Sequence, residues 1–159
     1  MIASALFIAS CEPPHPHDSA RIYGSPAASC STKYVAAPEA AIELTVVASD
    51  EAQRDFALQG FCMTLDGGAV MLTDNLEISA HHVATRTLRT TAGSHVLRVL
   101  GAWADKDRPR DRFEVKSAHE LELRSSGTVR ATAYESQLTG PLQERLKIGW
   151  IETTSGGPR

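Results

Sequence analysis

Phe61-Cys62-Met63-Thr64-Leu65-Asp66-Gly67-Gly68-Ala69-Val70-Met71-Leu72 is the stretch that decides the fold class. Phe61, Met63 and Leu65 alternate with Cys62 and Thr64, and a period of two places the two sets on opposite faces of an extended strand. Asp66-Gly67-Gly68 then offers residues that tolerate positive φ, and a second apolar run begins at once. That is the pattern of a β-hairpin.

The same period continues on both sides. Upstream, Ile42, Leu44 and Val46 alternate with Glu43 and Thr45. Downstream, Thr85 to Thr91 leads through Ala92-Gly93-Ser94 into His95-Val96-Leu97-Arg98-Val99-Leu100, which reads as a second hairpin with His95, Leu97 and Val99 on one face. Phe113 and Val115 open a further strand beyond the charged loop Asp105 to Arg112, and His119, Leu121 and Leu123 alternate with Glu120, Glu122 and Arg124. Ser125-Ser126-Gly127 turns the chain into Val129, Ala131 and Ala133, and Leu146, Ile148 and Trp150 form a last strand. Only Asp50 to Leu58, with Asp50 as an N-cap, and Pro141 to Arg145 read as helical, and both are short. The pattern predicts an all-β fold, an antiparallel β-sandwich of about seven or eight strands.

The chain has 159 residues, with 16 Lys and Arg against 19 Asp and Glu and a formal net charge of -3. This length suits one domain with short extensions. A near-neutral chain without a basic block is not built to bind nucleic acid, because phosphate contacts need concentrated Lys and Arg. No apolar run reaches the length of about 18 residues that a spanning helix requires.

The two ends differ from the middle. Met1-Ile2-Ala3-Ser4-Ala5-Leu6-Phe7-Ile8-Ala9-Ser10-Cys11 is uncharged and apolar and stops at a cysteine. It reads as the remnant of a signal peptide over residues 1–10. Ile8-Ala9-Ser10-Cys11 resembles the bacterial lipobox, and the resemblance implies that Cys11 is lipidated and becomes the first residue of the mature chain. Five of the eight prolines, Pro13, Pro14, Pro16, Pro26 and Pro38, fall in the segment behind it. Residues 11–38 are therefore expected to be a lipid-anchored, disordered tether, since they offer little apolar surface to offset ordering entropy. The folded domain is expected over residues 39–152, with residues 153–159 frayed.

With Cys11 lipidated, Cys30 and Cys62 remain in a chain facing an oxidising compartment. They either form a disulfide, closing a loop of about thirty residues worth roughly 3 kcal/mol, or stay as thiols with Cys62 buried in a strand.

Thr90-Thr91-Ala92-Gly93-Ser94-His95-Val96-Leu97-Arg98-Val99, preceded by Leu65-Asp66-Gly67-Gly68, resembles PEGA-type modules and related small bacterial surface β-sandwiches. Phe113-Glu114-Val115-Lys116-Ser117, Thr128 to Glu135 and Thr139 to Arg145 look like an uncharacterised group of secreted proteobacterial proteins, some of which carry the label dihydrolipoamide acetyltransferase. Together these motifs span about residues 60 to 151. They imply a fold of the immunoglobulin-like or PEGA-like kind and no activity. The label itself fails on the residues. That acyl transfer needs His-x-x-x-Asp-Gly, and four positions before the Asp66-Gly67 pair stands Cys62.

Other chemistry is scarcely represented. No Gly-x-Ser-x-Gly elbow occurs, and Ser94 and His95 are strand neighbours whose side chains diverge. Glu120 and Glu122 share the polar face of a strand and read as solvated surface. Asp105-Lys106-Asp107 lacks the glycine of a calcium loop and is interleaved with Arg108 and Arg110. The metal candidates are His15 and His17 in the tether and His81 with His82 at a loop or strand end, imidazoles suited to zinc, copper or nickel. Trp103, Tyr134 and Trp150 could line an aromatic binding surface or cover the core edge.

The expectation from these residues is a non-enzymatic envelope lipoprotein, membrane-anchored and facing the periplasm or the cell surface. It would need no cofactor and would bind a protein or cell-wall partner through a sheet edge or loops. The alternative is a periplasmic protein that binds a small ligand or a metal such as zinc or copper.

Overall fold

The computed structural model describes residues 30–52, 54–74, 83–137 and 139–154. The candidate lipidation site Cys11 and the candidate metal ligands His15, His17, His81 and His82 lie outside these residues. Eight strands follow in order: β1 (Ile42–Asp50), β2 (Phe56–Leu65), β3 (Gly68–Asp74), β4 (Val83–Thr90), β5 (Gly93–Asp105), β6 (Arg112–Leu123), β7 (Gly127–Glu135) and β8 (Leu146–Thr154). One turn of helix, α1 (Leu142–Arg145), precedes β8. The strands form two four-stranded sheets, ordered β4-β1-β7-β8 and β3-β2-β5-β6. The expected all-β sandwich is the fold.

Its core is made by the alternating faces. Leu44 and Val46 of β1 and Val129 and Ala131 of β7 meet Phe61, Met63, Leu65, Leu97 and Trp103 of the other sheet. Phe56 and Phe113 pack edge to face at 5.2 Å, a geometry that suits the ring quadrupoles. The β2–β3 turn is the one the sequence predicts. Asp66 and Gly67 have φ of 50° and 87°, the two positive values of a type I′ hairpin, whose twist matches that of the flanking strands.

Four sequence-based expectations are corrected. None of the described residues between 50 and 58 is helical. Oδ1 of Asp50 accepts the N–H of Ala52 at 2.9 Å, an Asx turn that ends β1 instead of capping a helix, and Phe56 already begins β2. The phase of β2 changes partway, with Phe56 and Leu58 buried before a register shift between Leu58 and Gly60, and Phe61, Met63 and Leu65 buried after it. A bulge at this point absorbs one residue and keeps both sets facing the core.

Second, β4 and β5 do not form a hairpin. β4 pairs with β1, whereas β5 lies between β2 and β6. The short connection through Thr91 and Ala92 crosses from one sheet to the other, so Leu88 packs against the core from one sheet and Leu97 from the other. Third, the sandwich is not wholly antiparallel: β1 and β7 are parallel, with Thr45 opposite Thr128 and Val47 opposite Arg130.

Fourth, the segment assigned to the tether is fixed to the domain at its end. The N–H of Tyr34 donates to the Ala69 carbonyl at 3.0 Å and the N–H of Ala69 to that of Thr32 at 2.6 Å, so residues 32–34 run as a short parallel addition to β3. The ordered unit therefore begins at least as early as Cys30, not at residue 39.

Candidate binding surfaces

The N-terminal strap is joined covalently to β2. Cys30 and Cys62 form a disulfide with Cα atoms 5.9 Å apart, inside the range such bridges adopt. Cys62 is opposite Leu100 of β5, and both alternate with core residues, so the bridge sits on the outer face of the β3-β2-β5-β6 sheet. From there the strap passes β3 and turns over the end of the sandwich. Tyr34 packs against the core and its hydroxyl donates to the Arg89 carbonyl at 2.9 Å, linking the edges of both sheets. Gly68 permits this crossing, because a Cβ there would lie 2.7 Å from the Tyr34 Cα.

Beneath the strap is a cleft of about 490 Å³ whose walls include Thr32, Tyr34, Asp66, Thr90 and His95. Asp66 and His95 are locked together in it. Nδ1 of His95 lies 2.6 Å from Oδ2 of Asp66, and Nε2 lies 2.9 Å from the Thr91 carbonyl. Oδ1 of Asp66 accepts the N–H of Val96 at 2.9 Å. Each nitrogen of the imidazole thus faces an acceptor, and the ring is buried. Nε2 also lies 3.5 Å from the Thr90 hydroxyl, and the ring braces the β2–β3 turn against the sheet crossing.

The three aromatics expected to share a surface are dispersed. Trp103 is 2 % exposed and belongs to the core, where its indole lies over Gly101, at which a Cβ would meet Nε1 at 2.6 Å. Trp150 lies where the free edges of the two sheets approach, with Nε1 donating to Ser117 Oγ at 2.7 Å and its ring stacked on His119 at 5.1 Å. His119 in turn pairs with Glu152. Only Tyr134, 41 % exposed, stands on an outer face. Alternation along each strand was legible in the sequence, but these three strands place their aromatics in three different environments.

At the opposite end of the sandwich, Asp55 pairs with Arg54 and with Arg145, whose guanidinium also lies 4.9 Å from the centre of the Phe56 ring. The N–H of Asp55 donates to Glu135 at 2.9 Å. The hydrogen bond from Arg54, helped by the charges of Arg54 and Arg145, holds the Asp55 carboxyl below the usual carboxylate range against a smaller desolvation effect. The same contact raises Arg54. In the adjacent β5–β6 loop, Asp105 accepts the N–H of Asp107 at 2.9 Å and the Arg108 side chain at 3.2 Å. Its carboxylate is thus occupied by the loop itself. Among the described residues no group of three or more His, Cys, Asp or Glu is arranged to hold a metal ion.

The sequence reading missed the outer face of the β4-β1-β7-β8 sheet. Register aligns its residues in rows across the strands. One row is Thr87, Thr45, Thr128 and Thr153, and another is Thr85, Val47, Arg130 and Ile151. Tyr134 lies opposite Lys147. The hydroxyls of Thr45 and Thr87 bond at 2.9 Å, as do those of Ser49 and Thr132. The signal in the sequence is that Thr85, Thr87, Thr128, Thr132 and Thr153 all take polar-phase positions, but their alignment needs the strand order.

The chain matches no protein-family model, no curated protein and no solved structure.

Proposed function

We propose that this chain is a non-enzymatic accessory domain of a bacterial envelope, held at a membrane through lipid on Cys11 and binding a protein or cell-wall partner. The observation that carries the reading is the Cys30–Cys62 bridge. Disulfides persist in oxidising compartments and are rare in the cytosol, so the bridge agrees with export implied by the Ile8-Ala9-Ser10-Cys11 motif. It also gives an anchored N-terminal segment a covalent point of attachment to the sandwich.

The test is made in a Gram-negative host, with the chain placed behind a complete signal sequence. The protein should partition into detergent, incorporate labelled palmitate and carry no free thiol at Cys30 or Cys62. Cys11→Ser should abolish partitioning and labelling. Recovery from the cytosol with an intact Met1 and two free thiols would overturn the reading.

The cleft beneath the strap favours a second reading, a small-ligand protein, because its volume lies in the range of small-molecule sites. Thermal shifts with zinc, copper and cell-wall sugars separate the two.

A further inference from the structure

We infer that the outer face of the β4-β1-β7-β8 sheet is a docking surface for an acidic polysaccharide. The inference deepens the binding-domain reading and rests on it. A polymer of this class presents many hydroxyls and spaced carboxylates or other anions along an extended chain, and the face offers the complement of both.

The hydroxyls come first. Thr87, Thr45, Thr128 and Thr153 lie side by side on four adjacent strands. With strands about 4.8 Å apart, the row is about 14 Å long. In the Thr45–Thr87 pair one hydroxyl donates to the other. Each hydroxyl has one donor and two acceptor sites, so the pair still has an O–H and several lone pairs for a sugar. Tyr134 adds an exposed ring on the same face, the amphipathic side chain suited to the apolar face and hydroxyl rim of a pyranose.

The charges select the acidic member of the class. Arg89, Arg130 and Lys147 stand on this face, on β4, β7 and β8, and Glu43, opposite Arg89, is its carboxylate. Among the described residues none of the three cations has an ion-pair partner. The face is therefore positive in a chain whose net charge is -3. Register puts the cations on one diagonal, Arg89 two strands and four residues from Arg130, and Arg130 one strand and four residues from Lys147. The intervals are about 14–17 Å from strand geometry. Three cations this widely spaced are too dilute for a membrane patch, for which four to eight clustered basic residues are the usual footprint. A polymer that crosses the whole face can meet all three. The Cys30–Cys62 bridge, by contrast, lies on the outer face of the other sheet.

The experiment is affinity electrophoresis and titration calorimetry of the full chain with alginate and polygalacturonate, with dextran as the neutral control and phosphatidylglycerol vesicles as the membrane control. The acidic polymers should retard the protein, and added salt should weaken the retardation. Dextran should have little effect. Arg130→Gln should weaken binding about tenfold or more, the size expected for loss of a charge-assisted contact, and Tyr134→Ala should weaken it at every salt concentration. Arg98→Gln, on the outer side of β5 in the other sheet, should bind as the unchanged protein does. Near-UV circular dichroism shows whether each variant is folded. Equal retardation by dextran, equal loss in Arg130→Gln and Arg98→Gln, or Arg130-dependent binding to the vesicles but not to the polymers would each overturn the inference. If no acidic polymer binds while a purified envelope protein or neutral wall fragment does, the polysaccharide falls and the binding-domain reading stands.

Discussion

His95 and Asp66 are 29 residues apart in sequence, and their side chains meet at 2.6 Å, joining the β2–β3 turn to the first residues of β5. The Asp66 carboxylate also takes the N–H of Val96, and its backbone occupies positive φ. Asp66→Ala loses both acceptor roles and sets an alanine at a φ it disfavours. Urea melts should show a loss of about 2–4 kcal/mol. Asp66→Asn keeps an acceptor and a residue that tolerates this φ, and should lose less. Equal stabilities for the two variants would mean that the pair does not brace the turn.

Leu97 is completely buried and its neighbour Arg98 is exposed on the opposite face of β5. Leu97→Ala should cost about 2–5 kcal/mol in a chemical melt, as other core truncations do. Arg98→Ala should fall within about 0.5 kcal/mol of the unchanged protein. A reversed order would contradict the register of β5 between β2 and β6.

The Cys30–Cys62 bridge spans 32 residues, and chain entropy makes such a closure worth about 3–4 kcal/mol. Reduction, or Cys30→Ser with Cys62→Ser, should lower the Tm measured by calorimetry. It should also speed tryptic cleavage after Lys33. An unchanged Tm would show that the strap is held by its contacts with Ala69 and Arg89 alone.

Gly68→Ala tests those contacts separately. The added methyl carbon would stand 2.7 Å from the Tyr34 Cα, and backbone must move to relieve it. Faster hydrogen exchange at the Tyr34 and Ala69 amides is expected, with the Leu97 amide unaffected. Slow exchange retained at both strap amides would place Tyr34 elsewhere.

Asp55 sets an acid limit. Its folded-state pKa is lowered, chiefly by the Arg54 hydrogen bond. Between that value and the unfolded value of about 3.9, the unfolded chain binds the additional proton, so stability rises with pH. The contribution is present above the unfolded value and is lost as pH falls through the folded one. Asp55→Asn should flatten the stability profile below about pH 4 and leave its slope near neutrality unchanged. Urea midpoints measured across this range check the slope.

Much of the fold can be read from short-range pattern. The alternation Phe61, Met63, Leu65 and the Asp66-Gly67 turn define β2, β3 and their hairpin because both the two-residue period and the positive φ values are local properties. Local pattern also placed Leu97 and Val99 on the buried face of β5. It failed at Asp50, where the same side chain that can cap a helix closes an Asx turn. What chooses between them is the burial of Phe56 and Leu58 in the core, a contact made with residues far along the chain.

The candidate surfaces divide in the same way. The sequence determined which residues take the polar phase of each strand, among them Thr45, Thr87, Thr128, Thr153 and Arg130, because successive side chains of a strand must alternate. It also supplied two cysteines, Cys30 and Cys62, able to pair. Tertiary structure alone decided that they do, that β4 leaves β5 to join β1, and that parallel pairing of β1 with β7 aligns four threonines. It also buried Trp103 while exposing Tyr134. The period of a strand fixes two faces but carries no record of its neighbours. Strand order comes from packing two apolar faces against each other through connections only a few residues long, and that is a property of the whole chain.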